Sequence, residues 1–179
     1  MSPQPILIGS WLTSLTLLLV AAGTDLNDRR IPNEIVAAVA AIGLTQGLIA
    51  RPGQVWLSLV VALLVFCALG VLSRYRIIGG GDLKLISAVT LLVPPERVGQ
   101  LLIEIALAGG VLGCIYLYAR HALRRPSVTS SGAAETTRPE AGFALAMSTE
   151  RVRMAAGGPL PYAVAVLGGV LIYVTRELI

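Results

Sequence analysis

The chain has 179 residues, of which 55% are hydrophobic and 13% charged, with a net charge of +4 and a mean hydropathy of +0.79. A soluble domain carries roughly 25% charged residues, so this composition excludes a cytosolic or secreted globular enzyme and points to an integral membrane protein. The length allows one compact domain, and two cysteines without a C-x-x-C pair argue against a cysteine zinc site.

A membrane-spanning helix needs about 20 apolar residues, within a range of roughly 17 to 25. The predicted fold is therefore all-α and polytopic, with about six transmembrane helices at 6–23, 35–50, 55–73, 77–95, 98–119 and 160–175. The first segment lacks the basic start of a signal peptide and reads as a retained span. Pro52-Gly53 and Pro94-Pro95 mark tight turns between spans. Cys67 and Cys114 sit inside apolar runs and read as packing residues. The whole chain, 1–179, reads as a single membrane domain with one long hydrophilic insert. That insert, residues 120–159, contains "RRPSVTSSGAAETTRPEAG" and reads as a flexible cytoplasmic loop, with a short amphipathic piece near 143–154.

Charge assigns the sides. With the amino terminus outside, 11 of the 14 Lys and Arg residues fall on the inner side, and only Arg51, Arg97 and Arg176 fall outside. Basic residues favour the cytoplasmic side, so both ends of the chain are expected to face out. This asymmetry accounts for the positive charge without a nucleic-acid partner; the partner it implies is membrane lipid.

Ionisable residues within or at the edge of the spans are Asp25, Asp82, Lys84 and Glu104. Such residues are costly in a membrane and are functional candidates. Glu104, near the outer end of the fifth span, can snorkel outward. Asp25 opens the polar stretch "TDLNDRRIPN" where the first span meets the cytoplasm. Asp82 follows Gly79, Gly80 and Gly81 in "IIGGGDLKLI". The run Leu83–Val93 covers only about 16 Å as a helix, so a fourth span must draw in the glycines and Asp82. Glycines admit close approach of another backbone, which suits a substrate strand beside a carboxylate. Lys84 reads either as an aid to the ionised form of Asp82 or as a positive-inside anchor.

Two carboxylates at similar depth form a recognisable reaction centre. Like-charge repulsion keeps one protonated while the other ionises. The ionised one can take a proton from water and the protonated one can polarise a peptide carbonyl, which hydrolyses a peptide without metal or cofactor. Other hydrolytic chemistry is poorly provided for. The lone histidine, His121, borders the basic loop, and the chain has neither an H-E-x-x-H nor a phosphate-loop motif.

These residues resemble a known family. "GGGD" at 79–82 is similar to the G-x-G-D signature of intramembrane aspartyl proteases. "DLNDRRIPN" at 25–33 resembles the first-aspartate motif of type IV prepilin peptidases, and "PYAVAVLGG" at 161–169 resembles their last helix. The resemblance implies that Asp25 and Asp82 are catalytic and that Asp28 is not. It also implies cleavage of the basic leader of prepilin-like or pseudopilin substrates at the cytoplasmic face of the bacterial inner membrane. Larger members of that family carry an amino-terminal domain, often with paired C-x-x-C motifs, and methylate the product. This chain looks like the small peptidase-only type associated with tight-adherence (Flp) pili.

Two other readings fit an apolar chain with buried carboxylates. A proton- or ion-coupled transporter would place them near mid-membrane, often with a repeat between halves. A non-catalytic membrane subunit of a pilus or secretion assembly would tolerate the loss of either aspartate.

Overall fold

The computed structural model describes residues 4–28, 30–75, 78–123 and 161–178, and among them there is no strand. Six helices account for nearly all of these residues: α1 (Gln4–Asp28), α2 (Asn33–Ala50), α3 (Val55–Arg74), α4 (Gly80–Thr90), α5 (Val98–Leu123) and α6 (Tyr162–Leu178). Each coincides with one predicted span. Four of them, over Gly9–Asn27, Asn33–Ala50, Pro52–Arg74 and Pro95–Tyr118, are long and apolar enough to cross a membrane. The loop and its amphipathic piece lie outside the described residues, except that α5 continues through 120–123.

The boundaries have local causes. Nothing in "TDLND" breaks a helix, so α1 runs on through Asp25 to Asp28. Pro32 stops the chain and serves as the N-cap of α2, where its carbonyl accepts the N–H groups of Ile35 and Val36. Pro52 and Pro95 each open a short 3-10 turn, leading into α3 and α5. Between them, α4 is shorter than the 77–95 expected. Gly79 caps it with extended backbone, and its far end tightens as Leu91 and Leu92 bond back three residues ahead of Pro94. Its 11 residues measure about 16 Å.

Residues 1–109 with 161–179 form one compact unit, and residues 110–160 a second. In the first, α4 packs against α2, α3 and α6, while α1 packs against α2 and α6. The core joins Leu18 and Ala21 of α1 and Val39 of α2 to Leu85, Val89 and Leu92 around α4. Leu101 and Ile105 of α5 complete it, with Val166, Val170 and Tyr173 of α6. Every residue of α4 from Leu85 to Thr90 is buried. Its two hydroxyls are satisfied within the helix, Ser87 donating to the Leu83 carbonyl at 2.8 Å and Thr90 to that of Ser87 at 2.7 Å. By contrast α3 buries only Ala62 and is apolar all round, as a lipid-facing helix should be. In the second unit, described over 110–123, α5 exposes Val111, Ile115, Leu117 and Tyr118. Cys67 and Cys114 are free and exposed on their helices rather than packed inside.

Small residues let the helices close up. A Cβ on Gly43 would stand 2.8 Å from the backbone carbonyl carbon of Leu91, and one on Gly169 would stand 2.5 Å from the Cα of Ile105. Polar pairs mark one end of this unit. Gln54 donates to Glu96 at 3.0 Å, Arg97 pairs with Glu177, and Arg176 lies 3.6 Å from Glu104. Arg51 sits near Glu96 and Tyr173. The three basic residues assigned to one side by charge thus share an end. Glu104 does not snorkel: it is 4% exposed and accepts a hydrogen bond from Gln100.

Candidate active site

At the other end of that unit the last turns of α1 meet the first turns of α2 and α6, and α4 starts beside those two helices. Asp25 is buried, 6% exposed, and its Oδ2 accepts the backbone N–H of Ala163 at 3.1 Å. That N–H is one of the four at the start of α6 with no partner inside the helix, so the carboxylate caps a helix 138 residues away in sequence. The favourable end of the helix dipole faces it.

Asp82 occupies the third position of α4, with Gly79 at the N-cap. Its carboxylate reaches back to the Gly79 N–H, half of the reciprocal arrangement known as a capping box. Gly79 has no side chain to complete it, and the space shows why: a Cβ there would lie 2.8 Å from Asp82 Oδ2. Glycine at 79 leaves the carboxylate in this position, while its φ of −68° suits any residue.

The two carboxylates lie close enough for their charges to interact. Lys84 has another partner. It is exposed, and its Nζ donates to Asn33 Oδ1 at 3.2 Å, joining α4 to the start of α2.

The other two glycines differ from Gly79. A Cβ on Gly80 would meet nothing within 4 Å, and one on Gly81 would make ordinary contact with Ile31 at 3.6 Å. The open flank at Gly80 leaves room for an approaching backbone beside Asp82. Among the described residues no group of three His, Cys, Asp or Glu side chains could hold a metal.

Asp25, Asp82, the three glycines and Lys84 are therefore gathered at one end of the unit. One further group reaches a carboxylate, the backbone N–H of Ala163. It carries no signal in residue identity, and an alanine in an apolar helix attracts no attention; the signal that could have found it is Pro161, which stands just before the helix. Chemically, one carboxyl held by a helix amide and a second held by its own N-cap amide are two ionisable groups brought from separate helices to the same end of the unit.

Comparison with known sequences gives one result. The profile of the type IV leader peptidase family matches residues 12–118, more than half of the chain, and this stretch includes Asp25 and Asp82 but not α6. No curated protein and no solved structure matches.

Proposed function

The chain belongs to the type IV leader peptidase family, and from that premise we propose that it is an aspartyl endopeptidase that removes the leader of type IV prepilins or pseudopilins. Its multiple apolar helices are those of a multi-pass membrane protein. On this reading Asp25 and Asp82 act on the scissile peptide at the cytoplasmic face of the inner membrane. The excess of basic residues on the side of Asp25 supports that orientation. The observation that carries the proposal is that Asp25 and Asp82, on separate helices, both lie in the stretch the family profile matches and are brought to one end of the unit.

Asp25 is the base, its carboxylate already accepting the Ala163 N–H. It takes a proton from water as the water oxygen bonds to the peptide carbonyl carbon. Asp82, protonated, gives its proton to the carbonyl oxygen, and a neutral gem-diol forms. The C–N bond then breaks. The departing nitrogen takes the proton from Asp25, and Asp82 recovers its proton from a diol hydroxyl, so the pair returns to its starting state. No metal or covalent intermediate takes part. The open flank at Gly80 is the path of the substrate backbone, and Lys84 with Asn33 fixes the start of α4 against α2.

The substrate type is the Flp-like prepilin, and the product amine leaves unmethylated. This follows the resemblance to the small peptidase-only type. The test is incubation of the purified protein with a leader-bearing prepilin. A size shift that needs both aspartates, with an unmodified amino terminus by mass spectrometry, is expected. An intact prepilin would turn the reading toward a transporter or an assembly subunit.

A further inference from the structure

A cleft of about 350 Å³ opens between α1 and α2, toward the end of the unit away from the aspartates. Ser10 and Thr13 line it from α1, and Ile42, Thr45, Gln46 and Ile49 from α2. Thr13, Thr45 and Ile49 are exposed, so the rim faces out of the helices, which in a membrane chain is toward lipid. Thr13 stands four residues from Gly9, where one apolar span starts, and Gln46 four from Ala50, where the next ends. At 1.5 Å per residue both lie about 6 Å inside the ends of their spans, close to the head-group level and far from mid-membrane.

Three oxygens of this cleft have acceptor capacity to spare. Gln46 is 5% exposed, and its Oε1 has no hydrogen-bond partner among the described residues. Thr13 donates its hydroxyl to the Gly9 carbonyl at 2.8 Å, and Thr45 to that of Ala41 at 2.7 Å. A hydroxyl has one proton and two lone pairs, so both threonines are left as acceptors. A buried amide oxygen without a donor is costly, most of all where no water reaches. We propose that the cleft binds the head group of a phospholipid carrying a primary ammonium, whose three N–H donors meet the oxygens of Thr13, Thr45 and Gln46.

The donors decide the occupant. No acid or base lines the cleft, so charge alone does not hold a ligand there. A hydroxyl offers one donor where an ammonium offers three. A transmembrane helix has already spent its backbone N–H groups on itself. Ile42, one turn deeper than Gln46, gives an acyl chain apolar surface to lie on. The bound lipid joins α1 to α2 at the end remote from Asp25 and Asp82, and the inference stands apart from their catalytic role.

The experiment is native mass spectrometry of the full chain in detergent with added lipid. The probes are phosphatidylethanolamine, its N-methyl and N,N-dimethyl forms, and phosphatidylcholine, all with the same acyl chains. This series keeps the charge and strips the donors one by one. One lipid should be retained, with affinity falling stepwise and by about tenfold or more overall, the worth of a hydrogen bond to a charged group. Gln46→Leu keeps the bulk and should lose most of the preference, Thr45→Val should narrow it, and Gln46→Glu should widen it. The first two remove only an acceptor, so melting in phosphatidylcholine should match or exceed the parent. If Gln46→Leu fails to fold, Thr45→Val and Gln46→Glu carry the test. Equal retention along the series would overturn the proposal, as would a preference untouched in Gln46→Leu and Thr45→Val. Phosphatidylglycerol held as tightly as phosphatidylethanolamine would remove the ammonium. A dimer abolished by Ala41→Trp would give the cleft to a second copy instead.

Discussion

The backbone N–H of Ala163 donates to Oδ2 of Asp25 across 3.1 Å, joining the start of α6 to the end of α1. Through that bond the last helix is part of the floor on which the first aspartate rests, and the two carboxylates keep a fixed relation as long as α6 keeps its place.

Replacing either aspartate tests the chemistry directly. Asp25→Asn and Asp82→Asn keep the shape and remove the ionisable group. Each should lower leader cleavage by at least the 100- to 10,000-fold, roughly, that general acid–base help contributes. Asp28→Asn should keep most of the activity. Processing of a co-expressed prepilin, with expression checked by blot, reads the result. Normal processing by an aspartate variant would sink the mechanism.

Gly79→Ala separates site from scaffold. Its new methyl would overlap Asp82 Oδ2, so the carboxylate must turn away from the Gly79 amide. The expected outcome is a fall in kcat with a melting temperature close to that of the parent, because the displaced group is the end of a side chain. Gly80→Ala meets nothing within 4 Å and should fold equally well, so any loss it shows belongs to substrate approach. Gly81→Val pushes branched methyls toward Ile31 and should impair cleavage.

Helix packing is tested at Gly169 and Gly43. A side chain at either would run into the backbone of a facing segment, Ile105 or Leu91, which cannot swing aside. Overpacking of this kind costs about 1–3 kcal/mol. Gly169→Val and Gly43→Val should melt well below the parent in detergent. Parent-like melting would mean the helices separate without cost.

Sidedness is open to labelling. With Cys67 and Cys114 changed to Ala, Asn27→Cys should resist a membrane-impermeant thiol reagent in intact cells, and Gln54→Cys should react. The opposite pattern would turn the molecule over and part Asp25 from its substrate.

The helices were legible because apolar runs and prolines are local signals: Pro32, Pro52 and Pro94 stand at or beside real boundaries. The aspartates were legible because charge is rare in such runs. Burial was harder to read. In a membrane the outer face of a bundle is as apolar as its core, so Cys67 looked buried and is exposed, whereas Glu104 looked able to reach outward and is enclosed. The extent of α4 depended on a cap made by backbone and a carboxylate, which composition does not record. The contact between Asp25 and Ala163 was hidden for the same reason, since every residue but proline has an N–H and only the fold decides which one is used.

α6 also sets a length. Between Ala163, bonded to Asp25, and Glu177, paired with Arg97, the helix rises about 21 Å at 1.5 Å per residue. One alanine inserted midway would turn one end by about 100° against the other, so no single placement of the helix could satisfy both attachments. The helix is a gauge as well as a span: residues far from the aspartates are held to an exact count by the need to reach both ends at once.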